Sequence, residues 1–269
     1  MKIDETNIHK FLNIDGTILS CVPRNATSLV ISGACAKKLK IINCSSKQLV
    51  ALVISDTCTK LEEIDCHDNK LTSLTIPDTC TKLERIWCSS NKLTSLKIPD
   101  TCTSLKLISC HNNQLISLIV PDTCISLKEI YCSRNEIVSL TVPQTCTELK
   151  EIDCYRNQLT SLTIPGTCVS LERIDCSANQ LVSLEIPDTF TKLETIDCSN
   201  NRISTLIIPE MCTILRRIHC DEIKSILILC PYEFFINIGM NNKYSYYKKQ
   251  TEGYLCNMAV AVPNFRLFS

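Results

Sequence analysis

Cysteine is the residue with the most chemistry to offer in this chain, and it occurs 20 times in 269 residues. A thiol can attack as a nucleophile, hold zinc or pair into a disulfide, and its spacing and neighbours decide among these. Nine of them (Cys44, Cys66, Cys88, Cys110, Cys132, Cys154, Cys176, Cys198 and Cys220) recur every 22 residues. Seven more (Cys58, Cys80, Cys102, Cys124, Cys146, Cys168 and Cys212) keep the same interval, with Phe190 in the one slot left over. No C-x-x-C pair occurs, and thiols set in a line do not close the tetrahedron that zinc requires. A position that takes Phe as readily as Cys faces an apolar interior, so both columns are expected to be reduced core fillers. No nucleophile–base pair or phosphate-cradling glycine loop is present in a chain with only 5 Gly, and catalysis is not expected. No metal or cofactor is expected either.

The same period runs through the elements that position these residues. Leu39 and its equivalents up to Leu215 repeat every 22 residues, and Asn69 recurs in register through Asn201, with Lys47 in that slot of the first unit. Ile64 and Cys66 alternate with polar Glu63, Asp65 and His67, the period-2 pattern of a short strand with one buried face. Asn69 follows that strand, where its amide can pair with backbone groups of neighbouring coils as a buried ladder. Leu71, Leu74 and Ile76 bring the chain back across the core, and Pro77-Asp78-Thr79 turns it. One such coil cannot bury its apolar side alone, so the coils must stack. Equivalent residues on stacked parallel strands lie ~4.8 Å apart, which disfavours disulfides between neighbouring coils.

The unit resembles the leucine-rich repeat, L-x-x-L-x-L-x-x-N-x-L, with Cys in the sixth slot, over residues 39–231. Its length and its Leu-x-Ile-Pro return segment look most like the short bacterial repeats of secreted pathogen effectors. Internalin-type repeats share the 22-residue length without this Pro-Asp-Thr-Cys turn. The resemblance implies an α/β-type solenoid that is mostly β: a curved horseshoe with a concave parallel sheet and short extended or 3₁₀ segments on the convex side. It also implies a protein partner, delivery into a host cytosol and a recognition role. Some effectors of this repeat type carry a ubiquitin-ligase domain with a catalytic Cys. Here the segment after the repeats holds only Cys256, in Leu255-Cys256-Asn257, without the Cys-x-Asp arrangement of those ligases.

The ends depart from the pattern as caps do. Residues 1–38 read as an N-terminal cap with one degenerate repeat: Asp4 to Leu12 as a short helix, Leu19 and Cys21 as a decayed strand, Thr27 to Ile31 as a return segment. Residues 39–231 give nine units, the last degenerate at Ile223, and residues 232–269 read as a C-terminal cap and tail. There Tyr232, Phe234, Phe235, Ile236 and Ile238 would cover the last coil, with Asn241 to Gly253 polar and mobile. An imperfect cap leaves room for weak self-association through the solenoid ends. The N-terminus lacks the apolar core of a Sec-type signal, and no run approaches the ~20 apolar residues of a membrane span. A soluble protein of a reducing cytoplasm, the cell's own or a host's, is expected. Lys+Arg and Asp+Glu balance at 28 each, which argues against nucleic acid as a partner.

Repeats this alike carry an internal control: what stays constant is dictated by stacking, and what varies is free for another purpose. The varying positions are the outward strand residues. They bring Trp87, Tyr131, Tyr155, His67 and His111 to one face, with Arg85, Leu107 and Glu129 among them. Flat amphipathic side chains on an exposed sheet suit protein recognition, although they are also ordinary strand formers. Asp153, Asp175 and Asp197 form a second group on successive strands, with Arg173 and Arg156 near enough to neutralise part of it. Like charges in that register repel, so either solvent screens the ladder or a basic peptide or cation relieves it.

Overall fold

Ile64 and Cys66 point inward from a three-residue strand, and their equivalents do the same in every coil. The computed structural model describes residues 1–220, 223, 225–229, 235–240 and 243–248. The strands Glu63–Asp65, Arg85–Trp87, Leu107–Ser109, Glu129–Tyr131, Glu151–Asp153, Arg173–Asp175, Thr195–Asp197 and Arg217–His219 lie parallel and in register, each residue opposite the one 22 positions on. They belong to one 12-stranded sheet that starts at Ile18–Leu19. It ends in an antiparallel hairpin, Phe235–Met240 with Lys243–Lys248. Within the segment expected to be polar and mobile, Asn241 to Gly253, the described residues Lys243–Lys248 form a strand, and the others lie outside the described residues. The other expectations for the tail, at Tyr232, Phe234 and Cys256, fall outside the described residues, and so do the side chains of Phe235, Ile236 and Ile238.

Three residues past the strand the chain reverses at positive φ: Ser46, Asp68, Ser90, Asn112, Arg134, Arg156, Ala178 and Asn200 all lie between 52° and 55°. The asparagine ladder follows at once. Asn69 Nδ2 donates to the carbonyl of Cys44 one coil back (2.9 Å) and to that of Cys66 in its own coil (3.0 Å), while its Oδ1 accepts from Leu49 N–H (3.0 Å). The same three bonds recur at Asn91, Asn113, Asn135, Asn157, Asn179 and Asn201.

The convex side carries almost no helix. Pro77 O accepts from Cys80 N–H and Cys80 O from Leu83 N–H, two tight turns that every full coil repeats in its own numbers. Threonine hydroxyls tie these turns together: Thr101 Oγ1 donates to Asp78 O at 2.6 Å, and Thr145 and Thr167 do likewise. Three small parallel sheets interrupt the irregular return segments, at Lys2–Ile3/Ser28–Ile31/Ala51–Ile54, at Ser117–Ile119/Ser139–Thr141 and at Thr205–Ile208/Ser225–Ile228. Val53, Ile119 and Ile207, outward return residues with high strand preference, lie within them. At the N-terminal end the expected helix over Asp4 to Leu12 is a single 3₁₀ turn, Ile8–Phe11. A four-residue helix, Gly33–Ala36, takes up the one extra residue before Leu39.

Both cysteine columns are buried in the core, and every described cysteine is a free thiol. The turn column makes weak bonds along the solenoid: the thiols of Cys80, Cys102, Cys124 and Cys146 each donate to the carbonyl of the preceding Cys in the column, at 3.5–3.8 Å. Cys212 does the same to Phe190 O at 3.7 Å, although the phenyl ring of Phe190 has no thiol of its own to offer Cys168. Burial pushes the thiols of Cys44 and Cys110 up to about 12 and those of Cys58 and Cys168 up to about 11. Such thiols stay protonated at neutral pH. Among the described residues no group of three His, Cys, Asp or Glu side chains is placed to hold a metal ion, and no helix is long and apolar enough to cross a membrane.

The concave face as candidate binding surface

Because strand residues alternate between core and exterior, the outward positions of eight strands fall into parallel columns on one face. All twelve residues singled out from the sequence lie on that face, on the strands or two positions beyond them. Trp87, Tyr131, Tyr155, Glu129, Asp153, Asp175 and Asp197 are half-buried, as are His111 and Glu151, whereas Arg85, His67 and Arg173 are exposed.

One member of the set is not at the surface. Leu107 retains only 8 % of its accessible area and Ser109 only 1 %, so this strand alone has both outward residues buried. Ser109 has the shortest side chain in its column and stands between Trp87 and Tyr131, one strand away on either side. Its hydroxyl is bonded to Ser89 Oγ (2.8 Å) and to His111 Nδ1 (3.3 Å). Ser89, Ser133 and Ser177 are buried too, so the third column offers a partner His67, His111 and Tyr155 but not these three serines. Period-2 alternation assigns these positions to the outer face and says nothing of how far taller neighbours cover them.

The larger side chains are held by specific contacts. Tyr131 Oη donates to Glu151 Oε2 at 3.1 Å, and burial together with Glu151 and Glu129 pushes its phenol above the usual range. Arg134 lies over the Tyr155 ring, 5.8 Å from its centre. His67 Nδ1 meets Asp65 Oδ1 at 2.7 Å. Burial holds His111 below the usual histidine range against the opposing pull of Asp153, and it is neutral at pH 7.

The aspartate ladder has a use that the sequence reading missed. Asp153, Asp175 and Asp197 each accept a bond from the backbone N–H two residues on, at Tyr155, Ser177 and Ser199. Asp175 and Asp197 also accept from the hydroxyls of Ser177 (2.5 Å) and Ser199 (2.6 Å). The carboxylates therefore satisfy the chain as it leaves the strand. The signal was available in Asp-x-Ser, a side chain able to bond two residues on. Arg173 does not reach the ladder: its Nε pairs with Glu151 Oε1 at 3.5 Å. Asp175 is raised above the usual carboxylate range, first by burial and then by Asp197 and Asp153, with the Ser177 bonds opposing.

Residues 43–158 match the family described as BspA type leucine rich repeat region, in six copies, and residues 169–210 match leucine rich repeats, in two copies. Among solved structures, the fold is similar to the functional domain of InlJ from Listeria monocytogenes, whose description includes a cysteine ladder (TM-score 0.72, 26 % identity, 89 % of this chain and 51 % of that one). It is also similar to YopM from Yersinia enterocolitica (TM-score 0.59, 24 % identity, 79 % of this chain and 42 % of that one). The chain thus spans about half the length of these relatives. No curated protein matches it.

Proposed function

Because this chain is a leucine-rich-repeat protein, we propose that it is a non-catalytic scaffold whose concave sheet recognises a protein partner, in the manner of a bacterial effector acting on a host protein. The family is one of binding scaffolds, and the solved relatives above are bacterial. The observation that carries the reading is the contrast between the two sides of each strand. Inward positions repeat Ile and Cys, while the outward ones change from coil to coil and gather Trp87, Tyr131 and Tyr155 with His67 and His111. Aromatic residues that keep a polar group toward solvent are the side chains most enriched at binding hot spots. Arg85, Leu107, Glu129, Asp153, Asp175, Asp197 and Arg173 complete the proposed surface, with Leu107 beneath it.

The test compares capture from cell lysate by the wild-type chain and by a folded Trp87→Ala/Tyr131→Ala/Tyr155→Ala variant, folding being checked by circular dichroism. Proteins retained by the wild type alone support the reading. Identical catches overturn it.

A further inference from the structure

The whole chain is electrically balanced, with 28 acidic and 28 basic residues, but its concave face is not. Over the four strands from Glu129 to Asp197 the outward positions hold Glu129, Glu151, Asp153, Asp175 and Asp197 against a single cation, Arg173. That arginine is already paired with Glu151. At the other end of the aromatic pair Arg85 is likewise paired, with Glu63 at 3.3 Å and with Glu84 at 3.8 Å. The anionic excess is therefore gathered beyond Tyr131, on the strands that carry Glu151, Asp153, Asp175 and Asp197.

Its side chains are also spaced at a fixed interval. Trp87, Tyr131 and Asp175 occupy the same column at every second strand, with Ser109 and Asp153 between them. Two strand spacings are about 9.6 Å. A polyproline II helix rises ~3.1 Å per residue with three residues per turn, so its i and i+3 side chains lie about 9.3 Å apart on one side. An extended β peptide repeats its side chains at about 6.6 Å and falls out of step with these positions. Tyr131 is ready for such a ligand: the bond from its hydroxyl to Glu151 fixes the ring before anything binds. Asp175 stands one further step along, flanked by Asp153 and Asp197.

We propose that the concave face docks a proline-rich segment in the polyproline II conformation, with prolines three residues apart on Trp87 and Tyr131 and an arginine three residues beyond on Asp175. The proposal rests on the concave-face reading above and names the chemistry of the partner. The anionic strands beyond Tyr131 set the polarity, since a basic residue of the ligand finds Asp175 flanked by Asp153 and Asp197 at that end. The polyproline II helix presents nearly the same outline in either chain direction, so Pro-x-x-Pro-x-x-Arg and Arg-x-x-Pro-x-x-Pro are the two matching patterns.

Trp87 is the only tryptophan of the chain, which makes its fluorescence a direct reporter. The full chain is titrated with labelled peptides of both patterns, read by Trp87 emission and by anisotropy of the label. A saturable signal from at least one peptide is expected. Moving the prolines to two residues apart at constant composition, or replacing the arginine by alanine, should each weaken binding about tenfold or more. Asp175→Asn should cost a similar factor for the arginine peptide and nothing for its alanine version. Equal binding of the out-of-step peptide, or no binding of either pattern, overturns the proposal. If neither peptide binds while a partner captured by the wild type is lost by the triple variant, the concave face still binds protein and only the polyproline assignment falls.

Discussion

Asn157 donates its amide to the carbonyl of Cys132, one coil back, at 3.1 Å, and accepts from the N–H of Ile137 at 3.0 Å. It also donates to Cys154 O at 3.0 Å within its own coil. One side chain therefore serves three backbone groups that have no water to turn to. Asn157→Ala should lower stability by about 3 kcal/mol, read as a fall in the urea midpoint. The equivalent change at the more accessible Asn91 should cost less, because water can replace part of what is lost.

The thirteen buried thiols with raised values predict alkaline fragility. A cysteine that keeps its proton in the folded state but loses it when unfolded leaves stability intact below its unfolded value of ~8.5. That stability is lost as pH rises through the window up to the folded values, which reach about 11 and about 12 for Cys58 and Cys44. Each thiol contributes about 1.4 kcal/mol per pH unit there, so unfolding should become steep above pH ~9. Thermal melts at pH 7, 8.5 and 10 check it. Cys21 is exposed, and under native conditions it should react with a thiol reagent before any cysteine of the two core columns.

Asp175 behaves in the opposite sense from most carboxylates. Its raised value means that the folded chain binds the proton more tightly than the unfolded chain, so its charge opposes folding at neutral pH. Asp175→Asn keeps an acceptor for Ser177 and removes that charge. It should raise stability at pH 7 by about 0.5–1 kcal/mol. The gain should shrink as pH falls through the folded value and vanish below ~3.9, where the aspartate is protonated in both states. Melts of both chains across pH 3–8 would show it, and a gain independent of pH would contradict the charge argument.

Ala178 sits at φ 52°, a conformation that costs an L-residue with Cβ roughly 1–2 kcal/mol. Ala178→Gly should therefore stabilise the chain by up to about 1 kcal/mol, the reverse of the usual order for these residues. Ser46, Asp68, Ser90, Asn112 and Asn200 occupy the same position in other coils, where short polar side chains tolerate the geometry better. Glycine at Asn112 should accordingly gain less. Denaturant midpoints of the two variants decide.

The repeat made most of this fold readable, because a feature seen once in a sequence is an accident and one seen seven times is a constraint. The strand alternation at Ile64 and Cys66, the asparagine ladder and the inward cysteines all followed from type and phase. What stayed hidden depends on size and reach. Leu107 and Ser109 are outward by period and buried between larger neighbours, Leu107 between Arg85 and Glu129 and Ser109 between Trp87 and Tyr131. Arg173 was equally near two acidic groups in the sequence, and only its side-chain conformation selects Glu151. Cys35 and Cys21 were also obscured: each stands 23 residues before its column rather than 22. Cys35 packs against the core as a first turn cysteine, while Cys21 turns out of line at φ 57°.

Each described coil is bonded to the coil before it and the coil after it, and the strand register and asparagine bonds are the same at the junctions from Asn69 to Asn201. Removing or duplicating one whole unit of 22 residues would keep the asparagine ladder and the strand register in phase, while changing the side-chain pairs at the new junction. Loss of a single residue puts two columns out of line. The molecule can thus be lengthened or shortened in fixed quanta at constant cross-section, each quantum adding about 4.8 Å of concave face. A reader of this surface would gain or lose one row at a time, with the rows on either side left as they were.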